Sequence, residues 1–276
     1  MVKTIGTKEW ANSNVNVYFG CSNDCLYCYA KDNAWRFKRI QNKDEWKRML
    51  PKEKVINKGY RKRNGRIMFP TSHDITLESK ENCEIVLNKL LEAGNAVLIT
   101  TKPCFEIVKD WCDRLQCFRD QIQWRFTITS LDLRKSEFFE PNAPCPNERI
   151  EALNYAYMAQ YKTSVSIEPY LDEDLDPLIR IIDYLCTESI WIGIMRKDIQ
   201  SKLIVSFVKQ VRQSQDINEI EMLRKMGCLV HDLYTIEQVE KIVERLRYLP
   251  ENIRKKIRLK DSIVNLLKLK NNKIEV

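Results

Sequence analysis

Three cysteines lie within eight residues, Cys21, Cys25 and Cys28, in the run Gly20-Cys-Ser-Asn-Asp-Cys-Leu-Tyr-Cys-Tyr29. Thiolates spaced C-x3-C-x2-C on one short loop suit three irons of a cubic iron–sulfur cluster, which leaves the fourth iron without a protein ligand and open to another molecule. A structural zinc site is the competing chemistry, but it calls for a fourth Cys or His, usually in a second pair nearby. The next cysteine is Cys83 and the histidines are His73 and His231, so zinc would need a ligand from far along the chain.

The spacing resembles the signature of the radical S-adenosylmethionine (SAM) superfamily, and Tyr27, an aromatic just before the third cysteine, matches that family's preference. The resemblance implies a [4Fe-4S] cluster and SAM as cofactors, with a flavodoxin- or ferredoxin-type electron donor. It implies that SAM chelates the open iron through its methionine part. One electron then releases a 5′-deoxyadenosyl radical, which abstracts hydrogen from a substrate. In such a system the cofactors carry the hard chemistry, while the protein binds, orients and shields.

Something must position this loop. Short apolar, β-branched runs alternate with helix-length amphipathic stretches. Strands are expected at Asn14–Phe19, Arg66–Phe69, Ala96–Thr100, Gln123–Thr129, Thr163–Ile167 and Ser189–Ile194. Helices are expected at Cys25–Arg39, Lys80–Ala93, Phe105–Leu115, Asn147–Gln160, Leu175–Cys186 and Lys202–Gln213. Gly94 is placed to stop the second helix, and Pro146 with Asn147 to start the fourth. Alternation of this kind predicts an α/β fold with a parallel sheet and helices outside. Six repeats are too few for a closed eightfold barrel; radical SAM enzymes resemble a partial (β/α)6 TIM-like barrel, with which the count agrees. The expected organisation is a core partial barrel over 1–217 and a helical, basic C-terminal extension over 218–276, with helices at Thr235–Tyr248 and Ile253–Lys270.

In open and closed α/β barrels reactive groups gather at the C-terminal ends of strands. The second strand ends in Phe69-Pro-Thr-Ser-His-Asp74, where the resemblance implies contact with SAM's amino group. Ser72 or Asp74 suits that task, since hydroxyls and carboxylates accept from an ammonium; an ordinary cap for the helix near Lys80 is the structural alternative. Thr100-Thr-Lys-Pro103, Thr127-Ile-Thr-Ser-Leu-Asp132 and Glu140-Pro-Asn-Ala-Pro-Cys-Pro-Asn-Glu-Arg149 resemble a spore photoproduct lyase-like subgroup, over about Thr7 to Arg196. Lys102 would point into the barrel mouth toward a carboxylate or phosphate, or lie on the surface at a strand end. Thr129 falls in the Thr-rich strand end and is carried as cofactor-binding. Glu140 and Arg149 are candidates to pair and order their loop. The resemblance places Ser166 and Glu168 near SAM's ribose and carboxylate, and Gly193 under its adenine, where a missing side chain lets a ring approach. Trp191 alternates to the opposite face and is expected in the core.

The lyase itself repairs a thymine dimer in DNA and carries a hydrogen-donating cysteine just before its Thr-Ser-Asp; Pro70 stands at that position here. Photoproduct repair would therefore need another donor. Three readings remain: a radical SAM enzyme with an unidentified substrate, a DNA repair lyase, and a non-catalytic iron–sulfur or zinc protein that binds nucleic acid.

The chain has 276 residues, 44% of them hydrophobic, and a net charge of +8. Fourteen Lys/Arg against four Asp/Glu lie between Lys31 and Arg66, interleaved with Trp35, Phe37, Trp46 and Tyr60. Such stretches bind nucleic acid through phosphate contacts and stacking, or form a solvated face. No apolar run approaches a membrane span, and the N-terminus carries no secretory apolar core. A cytoplasmic protein is expected. The ten cysteines are spread along the chain, which fits a reducing compartment better than a disulfide scaffold. Cys104, Cys112, Cys117 and Cys145 match no auxiliary-cluster spacing and behave as small hydrophobes in the simplest reading.

Overall fold

The computed structural model describes residues 6–269 and 273–274. Its centre is a seven-stranded, all-parallel sheet of β1 (Ser13–Asn14), β4 (Arg66–Phe69), β5 (Ala96–Thr101), β6 (Ile122–Thr127), β7 (Lys162–Ile167), β8 (Ile190–Ile192) and β9 (Ile257–Leu259), in that spatial order. Two further short strands, β2 (Tyr18–Phe19) and β3 (Leu50–Pro51), pair antiparallel beside it. The sheet curls into a partial TIM-like barrel with helices on its convex side.

The alternation of each strand decides which side chains face the helices. Val97 and Ile99 of β5, Trp124 and Phe126 of β6, and Val165 and Ile167 of β7 are at most 1% exposed and pack in the main core. They meet α3 (Lys80–Glu92), α4 (Phe105–Arg114) and α6 (Pro146–Met158). The buried positions of α3, Cys83, Val86, Leu87, Leu90 and Leu91, recur at helical spacing. Each fully buried aliphatic side chain contributes about 1.5–3 kcal/mol of hydrophobic free energy. Gly94 ends α3 as expected, with φ +75° and its N–H on the Leu91 carbonyl at 2.8 Å. Pro146 opens α6.

The other face of the sheet lines the lumen. Met68 and Leu98 share a separate small apolar cluster with Trp10, Ala11 and Trp191; Arg66 lies one step deeper on β4, and Trp191 pairs in register with Ser166. Above Met68 and Leu98 come Thr100 and Arg125, then Thr127 and Ser166. Trp191 is buried as expected, but on the lumen side and outside the main core.

Several expected elements end elsewhere. The stretch expected as one strand, Asn14–Phe19, is broken, because the amides of Val17 and Tyr18 donate to the His73 imidazole at 3.0 and 3.2 Å instead of to a neighbouring strand. The first long helix is only α1 (Tyr29–Arg36); the cysteine loop occupies what precedes it, and the Cys28 Sγ caps α1 by accepting from the Lys31 amide at 3.4 Å. Between the first and second of the expected strand–helix units lie a short 3-10 turn, β3 and α2 (Glu53–Asn57). After β6 come α5 (Leu133–Phe139) and, past β7, α7 (Asp176–Ile182).

The C-terminal stretch read as wholly helical contains a strand. After α8 (Lys197–Gln213), α9 (Ile217–Leu233), α10 (Ile236–Arg247) and α11 (Glu251–Arg254), β9 adds to the free edge of β8, followed by α12 (Asp261–Leu266). Ile257 and Leu259 are fully buried, and the Lys260 amide donates to the Ile192 carbonyl at 2.8 Å. Three residues between basic helical stretches carry no periodicity to read; the open edge of β8 supplies the reason for the strand. Among the described residues no helix is long and apolar enough to cross a membrane.

Candidate active site

The cysteine loop begins at a residue that must be glycine. Gly20 has φ +98°, and a Cβ there would lie 2.0 Å from the Arg48 carbonyl oxygen. Beyond it the Cys21 amide donates to the Trp46 carbonyl at 2.8 Å, the Asn23 side chain to Asp74 at 2.9 Å, and the Leu26 amide to the Phe139 carbonyl at 2.8 Å. Asn142 reaches the Ser22 carbonyl at 3.0 Å. The loop is thus tied to segments that follow β4 and β6, at the C-terminal mouth of the barrel.

All three thiols are free, Cys21 and Cys25 buried and Cys28 half-buried. Burial pushes the Cys21 thiol well above its usual range, helped by Asp74 and then by Cys25 and Cys28. Burial pushes Cys25 up to about 12, against the opposing pull of the Lys102 ammonium. A positive group introduced among them would therefore be strongly favoured, since ligands must bind as thiolates. Among the described residues no three of His, Cys, Asp and Glu close on a single ion-sized point. The loop itself offers three thiolates and no fourth Cys or His, a donor set that suits three irons of a cluster, one each, where structural zinc calls for four ligands. Cys104 is half-buried, Cys112 buried, and Cys117 and Cys145 exposed.

Around the thiols sits a buried ionic network. The Glu140 carboxylate, with no side-chain exposure, pairs with Arg149 at 2.5 Å, which bears out the expected pairing. It also accepts from the Tyr27 hydroxyl, from Thr129 at 3.1 Å and from Ser136 at 3.4 Å. Lys102 Nζ stands 3.8 Å from Glu140 and 5.6 Å from the Tyr27 ring centroid. Tyr27, Lys102 and Thr129 are therefore brought together beside Cys25, with the Thr129 hydroxyl engaged by Glu140.

Asp74 is surrounded by donors of the chain itself. Its oxygens accept from Asn23, from the Thr101 hydroxyl, and from the Ile75 and Lys102 amides at 2.8 and 3.0–3.1 Å. It welds the cysteine loop to the ends of β4 and β5. His73 is likewise structural: Nδ1 meets the Asp74 carbonyl at 2.9 Å while Nε2 accepts two amides, and burial lowers its pKa to about 4. Ser72 is half-buried at the mouth, its amide held by Asn16 at 2.9 Å. Asn16, which the sequence reading passed over, also takes the Thr71 amide at 2.7 Å.

Ser166 faces inward and shares a 3.0 Å hydrogen bond with Thr127. Glu168 is half-exposed, its pKa raised by burial and held back chiefly by Lys260. Gly193 leaves the room that Glu168 uses, since a Cβ there would meet Glu168 Cγ at 2.8 Å and Lys260 Cγ at 3.0 Å. The lumen also holds residues with no local signal: Trp10, Thr100, Arg125 and Lys260. Lys260, 2% exposed, reaches Glu9 at 3.3 Å and the Gly6 carbonyl at 3.0 Å, fastening the N-terminal segment to the end of β9.

The basic stretch divides in two. Trp46 is buried and Tyr60 half-buried, whereas Trp35 and Phe37 are 46% and 61% exposed. Lys43 stands 5.2 Å from the Trp35 ring, and Arg36 and Arg39 stand 5.7 and 5.9 Å from Phe37.

No protein-family model matches the chain. Over 171 residues it is 28% identical to the uncharacterised protein ORF301 of Acidianus two-tailed virus, an alignment covering 58% of this chain and 55% of that protein. Among solved structures it is similar to spore photoproduct lyase complexed with dinucleoside spore photoproduct, with a TM-score of 0.44 and 15% identity, over 68% of this chain and 58% of the other. The chain thus spans little more than half the length of each.

Proposed function

We propose that the protein is a radical SAM enzyme whose loop Cys21, Cys25 and Cys28 holds a [4Fe-4S] cluster. The observation that carries this reading is the loop itself: three free thiols, spaced C-x3-C-x2-C and tied to the mouth of a partial barrel. When bound, the cluster and SAM supply a 5′-deoxyadenosyl radical for hydrogen abstraction. The chain's own residues shape the place where that happens. Gly20, Asn23 and Asp74 fix the loop; Lys102 sets a positive charge beside Cys25, which favours its thiolate. Ser72, Ser166 and Glu168 offer hydrogen-bonding groups around the mouth, and the apolar cluster of Met68, Leu98 and Trp191 lines part of the lumen. A flavodoxin- or ferredoxin-type protein is the proposed electron donor.

Anaerobic reconstitution, reduction and incubation with SAM test the proposal by the appearance of 5′-deoxyadenosine. Cys25→Ala removes one of three ligands and is expected to abolish both the cluster absorbance and SAM cleavage. A Cys25→Ala protein that keeps both overturns it.

The substrate reading favoured by a separate observation is nucleic acid. Trp35 and Phe37 present exposed rings beside Lys43, Arg36 and Arg39, an arrangement suited to stacked bases and phosphates.

A further inference from the structure

Six buried side-chain atoms among the described residues have no hydrogen-bond partner, and three of them belong to Arg125 and two residues beside it: Trp10 Nε1, Thr100 Oγ1 and Arg125 Nη1. Thr100 and Arg125 stand opposite each other in the β5–β6 register. Both lie on the lumen face, because Ile99, Trp124 and Phe126 occupy the other. Arg125 lies over Trp10 and Trp191, its guanidinium carbon 4.5 and 5.6 Å from their ring centroids.

The guanidinium is 2% exposed and only partly used. Nε donates to Ser164 at 3.1 Å and Nη2 to Ser189 at 3.4 Å; Nη1 is left over. Among the described residues no carboxylate stands within ion-pair distance of it: Glu9 pairs with Lys260, and Glu168 lies across Gly193 beside Lys260. A buried cation with an unmet N–H is costly unless something accepts from it. Stacking on two indoles offsets part of that cost but leaves the hydrogen bond unmade.

The orphaned groups define what would complete them. Arg125 Nη1 and Trp10 Nε1 only donate, and the Thr100 hydroxyl donates or accepts. The missing partner is an acceptor, and an anionic one also balances the guanidinium. Thr100, Thr127 and Glu168 are half-exposed, so the site is approached from the mouth.

We infer that Arg125, Thr100 and Trp10 form an oxyanion-binding subsite in the lumen, taking the carboxylate or phosphate of a small ligand or of one end of a substrate. The subsite belongs to the lumen assigned above to the reaction and rests on that reading for its purpose. Its test uses the full-length protein without a cluster, so the two fail separately.

Sodium phosphate and sodium acetate are titrated into the protein by calorimetry at constant ionic strength, with chloride as the balancing salt. The wild-type protein is expected to bind at least one, and which one distinguishes phosphate from carboxylate. Arg125→Gln is expected to weaken binding at least tenfold, since a charge-assisted hydrogen bond contributes about 1.5–3 kcal/mol and tenfold in affinity corresponds to about 1.4 kcal/mol. Thr100→Val, nearly isosteric, serves where Arg125→Gln does not fold and is expected to weaken binding several-fold. Wild-type protein that binds neither anion overturns the inference, as does unchanged affinity in a folded Arg125→Gln or Thr100→Val variant.

Discussion

Removing Arg149 isolates a carboxylate that has nowhere to go. Glu140 has no side-chain exposure, and Arg149 is its closest cation, at 2.5 Å; Lys102 is farther, at 3.8 Å. Arg149→Met keeps the volume and removes the charge. Breaking a buried ion pair from one side costs about 3–5 kcal/mol, because the surviving charge is desolvated without compensation. At about 2–4 °C per kcal/mol for a domain of this general size, the melting temperature falls by roughly 6–20 °C. Burial already raises the Glu140 pKa, and Arg149 is the main influence holding it down. In the variant the folded-state pKa rises further, so the folded protein retains a proton that the unfolded chain releases. The deficit therefore grows as pH rises from the ordinary carboxylate range and shrinks as pH falls. Urea melts followed by circular dichroism at pH 5 and pH 8 are expected to show the larger loss at pH 8. Glu140→Gln/Arg149→Met is expected to be more stable than Arg149→Met alone, since a neutral amide still accepts from Tyr27 and Thr129. A loss below about 1 kcal/mol at pH 8, or a double variant no better than the single one, refutes the account.

Two further outcomes are expected. His73 is neutral and buried, with a folded pKa of about 4 below its ordinary 6.5. The stability it permits is full above the unfolded pKa and is lost as pH falls from 6.5 through 4, by roughly 3 kcal/mol in all; His73→Gln is expected to flatten this acid branch in urea melts between pH 4 and 7, and an unchanged branch counts against it. Trp35→Ala and Phe37→Ala are each expected to weaken binding of single-stranded DNA by about 1–3 kcal/mol, measured by fluorescence anisotropy at fixed salt; equal affinity in the double variant removes these rings from any interface.

Local chemistry was legible in the sequence. The cysteine triplet sits on a loop because its spacing belongs to one contiguous segment, and the strand–helix alternation foretold a parallel sheet with helices outside because burial on a strand or helix repeats at a fixed period. Gly94 and Pro146 marked their boundaries through backbone restrictions that each residue carries alone. Glu140 and Arg149, nine residues apart, were also within reach of a local reading.

What the fold alone decided is everything that depends on which distant segments meet. Only the fold brings Asn23, Thr101 and the Lys102 amide onto the oxygens of Asp74. His73 ends the first strand from 56 residues away. Gly193 lies against the side chains of Glu168 and Lys260, neighbours from two other strand ends. The strand at Ile257–Leu259 exists because β8 leaves an open edge. Trp10, Arg125 and Lys260 carry no motif; the curl of the sheet gathers them with Thr100 into one lumen, where desolvation turns an ordinary arginine into a group in want of an acceptor.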